Sequence, residues 1–113
     1  MSRPNRLPDA EVTFELTSNR DNGQVKQVFS GYRPIYEVKS DYWTSTHHEF
    51  IDSDVVTTGE SRRAEVWFLT PEAYPGVLWV GKVLRVAEGS RQIGVATVLA
   101  IANPLLERPS TNI

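Results

Sequence analysis

From Ala10 the chain alternates in apolar and polar positions. Val12, Phe14 and Leu16 fall on one side, and Glu11, Thr13, Glu15 and Thr17 on the other. Period two is the signature of a half-buried strand. The stretch 19–23, Asn-Arg-Asp-Asn-Gly, supplies residues that tolerate left-handed backbone angles and predicts a hairpin turn. Residues 25–29 predict a short second strand, and Gly31 a bend. Pro34 has no N–H to donate, which sets Arg33-Pro34 at a strand entrance or edge. Further strands are predicted at 35–39, at 45–51 inside a polar stretch, and at 63–69. In the last of these Ala64, Val66 and Phe68 share a face opposite Arg63, Glu65 and Trp67. Pro71, Pro75 and Gly76 interrupt the chain, with room for at most a single helical turn at 71–73. A hydrophobic segment follows at 77–86, a turn at Glu88-Gly-Ser90, and a long last strand at 92–102.

Apolar spacing of three and four residues is never sustained. Six or seven short strands separated by turn signals predict an all-β sandwich or barrel. Closure into a barrel would remove the exposed edges that template aggregation. The polar, proline-containing residues 1–9 are expected to be a poorly ordered arm, residues 10–102 a single β domain, and 103–113 a C-terminal tail, disordered from Glu107 to Ile113. Val12, Phe14, Leu16, Phe29, Val66, Phe68, Val86, Val95 and Val98 are the expected core.

Two segments carry more than periodicity. Phe29-Ser-Gly-Tyr-Arg-Pro34 matches a Phe-x-Gly-Tyr-Arg-Pro pattern, and Glu88-Gly-Ser-Arg-Gln-Ile-Gly94 matches Glu-Gly-Gly-Arg-Thr-Val-Gly. Thr58-Gly59-Glu60 stands where a Pro-Gly-Asp is usual, and Leu69-Thr70-Pro71 stands for Ile-His-Pro. In order and approximate spacing the chain resembles the C-terminal β-barrel domain of elongation factor Tu over residues 10–102. The resemblance implies a six-stranded antiparallel barrel. In the family this barrel helps hold the T-arm of aminoacyl-tRNA and packs against a GTPase domain. Here the basic chemistry of those contacts is altered. The family's Gly-Gly-Arg-His-Thr hairpin reads Asn22-Gly23-Gln24-Val25-Lys26, its Gln after Arg-Pro is Ile35, and its Arg before Glu-Gly-Gly is Ala87. An extra piece at 74–79 lengthens the loop before the penultimate strand.

Composition narrows the function classes. At 113 residues the chain holds one domain, burying roughly two-thirds of its unfolded surface. No cysteine is present, which removes disulfides, thiolate metal sites and cysteine nucleophiles. A phosphate-cradling Gly-x-x-x-x-Gly-Lys-Ser/Thr loop is missing, as is a Gly-x-Ser-x-Gly elbow. The chain therefore reads as non-enzymatic, without nucleotide or other cofactor. The first residues lack the apolar segment of a signal peptide, and no run approaches the ~20 apolar residues of a membrane span. A soluble, cytoplasmic protein is expected. The net charge of −2, from 12 basic and 14 acidic residues, argues against nucleic acid as the main partner.

Remaining chemistry is sparse. His47 and Glu49 share one strand face, with His48 on the other, and a solvated face outweighs a metal site there. Asp52-Ser-Asp54 reads as a solvated turn rather than a calcium loop. Arg33 is expected to close the barrel by pairing with a carboxylate such as Glu88, more than to contact a ligand. The candidate interface comprises Tyr74, Val77, Leu78 and Trp79 in the inserted loop, with Tyr42 and Trp43 in a polar loop. Loop aromatics on a rigid scaffold suit interface anchoring, and the bland alternative is that both tryptophans plug the barrel ends. The favoured function is a protein-binding module linked to translation, in its sharpest version a decoy or immunity-type antagonist. A homodimer is another expected partner. The rival is an accessory protein that binds tRNA or other RNA through Lys26, Arg33, Lys39 and Arg91.

Overall fold

The computed structural model describes residues 3–17 and 26–109. Its strands are β1 (Ala10–Leu16), β2 (Gln27–Phe29), β3 (Ile35–Lys39), β4 (Tyr42–Phe50), β5 (Val55–Thr57), β6 (Ser61–Phe68), β7 (Val83–Glu88) and β8 (Arg91–Ile101). A single 3₁₀ turn occupies Pro71–Ala73. Six strands close an antiparallel barrel in the order β1-β6-β4-β3-β7-β8, and β2 and β5 form a separate two-stranded sheet. The all-β class, the six-stranded antiparallel barrel and the lack of α-helix among the described residues agree with the sequence-based expectation. The predicted hairpin turn at 19–23 lies outside the described residues.

The barrel interior follows from alternation. Along β1, Ala10, Val12, Phe14 and Leu16 are all buried, and along β6 so are Ala64, Val66 and Phe68. Tyr36 and Val38 from β3, Leu84 and Val86 from β7, and Ile93, Ala96 and Val98 from β8 complete the core. Burying such side chains contributes about 1.5–3 kcal/mol each, which drives closure.

Two expected core residues fail. Phe29 is 57% exposed, because in β2 it is Val28 that points inward and its neighbours on both sides point out. Val95 is only half-buried. Opposite β8, the register slips between Val86 and Ala87, pairing Val86 with Gly94 but Ala87 with Gln92. The extra residue is Ile93, so Ile93 and Gly94 are buried in succession and Val95 turns outward.

Element limits also move. Within the hydrophobic segment at 77–86 a strand starts only at Val83, and the strand expected at 45–51 begins already at Tyr42. Both chain ends, expected to be disordered, are held by the barrel where they are described. Asp9 is buried, and its carboxylate accepts from both Arg6 guanidinium nitrogens, the Phe68 N–H and the Asn103 side chain. Trp67 donates its indole N–H to the Arg6 carbonyl at 2.7 Å. At the other terminus, Leu106 is fully buried. The folded unit thus extends beyond residues 10–102 in both directions.

Gly94 is a close-approach glycine. A Cβ built there overlaps the Glu15 carbonyl on β1 and crowds the Phe14 ring. Backbone cannot yield as a flexible side chain does, so Gly94→Ala is expected to cost about 2–3 kcal/mol by overpacking. Urea denaturation followed by circular dichroism measures that loss; a variant as stable as the wild type would contradict it.

Candidate binding surface

The end of the barrel at the β3–β4 turn gathers most of the chain's unusual aromatics. Asp41 takes a left-handed conformation at that turn, with φ of 64°, and its N–H is fixed by Glu37 Oε2 at 2.9 Å. Asp tolerates this region better than most residues, so the turn is locally encoded. The turn presents Tyr42, 55% exposed, with Lys39 Nζ 4.6 Å from its ring centroid. Trp43 is half-buried on the outer wall beneath Arg85, whose guanidinium lies 5.4 Å from the indole and also contacts Glu37 and Gln92.

The loop at 74–79 comes alongside. Tyr74 follows the 3₁₀ turn, and its hydroxyl donates to the Trp43 carbonyl at 3.4 Å, joining the two aromatic segments. Gly76, at φ of 71°, turns the chain so that Gly76 N–H and Leu78 N–H bond to the carbonyls of Leu105 and Leu106. Arg108 N–H returns a bond to the Leu78 carbonyl at 2.7 Å. The loop and the C-terminal segment therefore meet in an isolated parallel bridge between Leu78 and Glu107 and close this end of the barrel. Leu78 and Leu106 are the plug, both fully buried. Leu78 is thus removed from the expected interface, and residues 107–109 from the expected disordered tail. Tyr74 and Val77 are half-buried against the core.

Trp79 behaves differently. Its side chain is 37% exposed, so the alternative in which it plugs the barrel does not hold. Lys82 Nζ lies 4.5 Å and the Arg108 guanidinium 4.1 Å from its ring centroid. Lys82 also donates to the carbonyls of Val38 and Val77, which ties β3 to the loop. Burial of the ammonium, together with the positive charge of Arg108, lowers the Lys82 pKa. Exposed Val80, Val83, Leu99 and Leu105 occur in the same loop, the adjoining strands and the C-terminal segment. The result is an apolar and aromatic surface set with cations.

The four basic candidates do not form one patch. Lys26 Nζ is 3.2 Å from Glu88, which also accepts from the Tyr32 hydroxyl. Glu88 faces Arg91 across the β7–β8 turn. The expected Arg33–Glu88 pair is not formed: Tyr32 and Lys26 take up that carboxylate, and Arg33 is exposed without an ion pair to any described residue. Lys39 lies at the opposite end of β3 from Arg33.

Both histidines are buried, which corrects the solvated strand face expected for them. His48 points into the barrel, where its Nε2 meets the Tyr36 hydroxyl at 2.7 Å amid Phe14, Tyr32 and Phe50. Burial pushes its pKa down to about 3, with His47 adding to the effect, so the ring is neutral. Desolvation likewise raises the Tyr36 pKa well above its usual value. His47 faces out as expected from alternation, but it is covered by Trp67 and bonded to Glu49 at 2.6 Å. Among the described residues no three His, Asp or Glu side chains cluster as metal ligands.

Periodicity missed Asp9, Arg6 and the buried His48. The pair Leu105-Leu106 after Asn103-Pro104 was a readable apolar signal within the expected tail. The chain matches no protein-family model and no curated protein.

Proposed function

We propose that this chain is a non-catalytic binding module that engages a protein partner through the aromatic end of the barrel. The observation that carries this reading is Trp79, an exposed indole with two cations at its ring, bordered by exposed valines and leucines. Trp, Tyr and Arg supply most interface hot spots, and charged residues at a rim steer partners of opposite sign. Tyr42 and Trp43 extend the same surface through the Tyr74 contact. Both histidines, the chain's best general acid–base candidates, are engaged in structural pairs. A link to translation, including the decoy or immunity-type version, draws on the resemblance to the elongation factor Tu barrel domain and on nothing in the site itself. Neutralisation of Lys26 by Glu88 and the separation of Lys39 from Arg33 weigh against tRNA as the main ligand.

The test is a Trp79→Ala variant in capture experiments with extract from the source organism. Binding of the captured protein is expected to fall by about thirtyfold, equivalent to ~2 kcal/mol at a hot spot. The thermal midpoint should stay within a few degrees of the wild type, because the ring is not part of the plug. Unimpaired capture, a variant that unfolds, or salt-sensitive recovery of RNA alone would each defeat the reading. Loss of a dimer on size-exclusion chromatography would identify the partner as a second copy.

A further inference from the structure

The cations at the aromatic end are satisfied differently from those on the barrel wall. Arg3, Arg63 and Arg85 each lie within ion-pair distance of a carboxylate. Lys39, Lys82 and Arg108 do not. Among the described residues none of the three has an ion-pair partner, and each sits at an aromatic ring instead. Backbone contacts bring them to one end. Lys82 Nζ donates to the carbonyl of Val38, the neighbour of Lys39, and Arg108 N–H bonds to the carbonyl of Leu78, the neighbour of Trp79. A cation at a ring face gains about 0.5–1 kcal/mol where it is exposed, but the ring carries no countercharge. Burial and the positive charge of Arg108 both lower the Lys82 pKa, so two like charges are held close without a carboxylate on either.

Lys82 and Arg108 are not equivalent. Lys82 commits two of its three N–H donors to the Val38 and Val77 carbonyls. The exposed Arg108 side chain makes no hydrogen bond with a described residue and lies over the Trp79 indole. A guanidinium in that position keeps donors at its edge, in a planar fork that fits a carboxylate. Aliphatic groups flank it. Gly81 N–H bonds to Val98, Val98 N–H to Lys82 and Gly76 N–H to Leu105, which aligns the loop with the end of β8 and with the C-terminal segment. Val80, Leu99 and Leu105 are exposed there. Phosphates match the charge alone and bases stack on aromatic rings, whereas a polypeptide matches both the cations and the aliphatic groups.

We propose that the partner meets this end with an acidic, amphipathic segment of polypeptide. One of its carboxylates pairs with Arg108 over Trp79, and its aliphatic side chains cover Val80, Leu99 and Leu105. Lys82 and Lys39 add longer-range attraction for its other acids. This inference rests on the reading of the aromatic end as a protein-binding surface and names the chemistry of what binds there.

The test is titration of the ¹⁵N-labelled full chain with the acetylated, amidated peptide Glu-Leu-Asp-Asp-Leu-Leu-Glu and with its counterpart carrying Gln and Asn for the acids. The acidic peptide is expected to shift the Trp79 indole N–H saturably in ¹H–¹⁵N spectra. The uncharged counterpart should bind at least about tenfold more weakly, because it lacks charge-assisted pairing. Raising the salt from about 0.1 to 1 M shrinks the Debye length from roughly 10 to 3 Å and should weaken the acidic peptide at least about threefold. Arg108→Glu should weaken it at least about tenfold with the barrel amides unshifted. Absence of saturable shifts, equal binding of the uncharged peptide, salt-independent binding, or an Arg108→Glu variant that binds like the wild type would each overturn the inference. So would a tRNA that shifts the same indole signal at lower concentration than the peptide. Capture from extract separates the two readings. If Trp79→Ala abolishes capture of a protein while Arg108→Glu captures it as well as the wild type, the surface reading stands and the acidic partner falls. Unimpaired capture by Trp79→Ala ends both.

Discussion

Lowering the pH from 7.5 to 4.5 is expected to remove about 3 kcal/mol of stability through His48 alone. In the folded barrel this ring is fully buried and its pKa is about 3, against 6.5 when solvated. Between those values the unfolded chain binds a proton that the folded chain does not. Stability therefore rises with pH across this window, is complete above 6.5, and drains away as pH falls toward 3. At ~1.4 kcal/mol per unit, the full gap corresponds to about 5 kcal/mol, comparable with the whole stability of many domains. Carboxylates elsewhere also titrate below pH 5, so the measurement is a difference. Urea midpoints of the wild type and of a Tyr36→Phe/His48→Phe double variant are compared at both pH values. Replacing both partners of the buried pair avoids leaving a lone hydroxyl. The variant should lose about 3 kcal/mol less than the wild type on acidification; parallel profiles would show that His48 is not the acid-sensitive group.

Asp9→Ala is expected to cost about 3–4 kcal/mol. The carboxylate is 1% exposed and accepts four hydrogen bonds, two from Arg6, one from Phe68 N–H at 2.7 Å and one from Asn103 at 2.9 Å. Removing one partner of a buried pair leaves the other groups without compensation, typically at 3–5 kcal/mol. The lower part of that range applies because the Arg6 side chain is 43% exposed and water can solvate it. The Asp9 backbone adds a join between the termini: its N–H bonds to Val66, and its carbonyl accepts from Ala102 and Asn103. Those bonds survive the substitution, so the barrel should still form at moderate temperature. Urea denaturation at pH 7 gives the loss, and Asp9→Asn should recover part of it. A loss below about 1 kcal/mol would place Asp9 among ordinary surface carboxylates.

What could be read from the chain were the features that local chemistry dictates. Alternation at Val12, Phe14 and Leu16, and at Ala64, Val66 and Phe68, is enforced by the pleat, so strand identity and inward face were legible in β1 and β6. At Pro71–Ala73 the proline allowed one helical turn and no more, and a single 3₁₀ turn forms there. Closure into six strands was what the resemblance carried by the Phe29–Pro34 and Glu88–Gly94 segments implied; periodicity alone left a sandwich open.

Everything that depended on contacts across the barrel was hidden. Val95 turns outward because β8 carries an extra residue opposite β7, a slip visible only in the register. His47-His48-Glu49 is polar as a string, yet Trp67 covers His47 and the rings of Phe14, Tyr36 and Phe50 surround His48, and burial is a property of neighbours. Arg33 lost Glu88 to Tyr32 and Lys26, a competition settled by distance in space. Leu78 and Trp79 are adjacent apolar residues that no local rule separates. Pairing with the C-terminal segment turns Leu78 into the plug and leaves Trp79 facing solvent between two cations. Neighbouring side chains on an extended chain point in opposite directions, and the surface each one meets is supplied by residues far away in sequence.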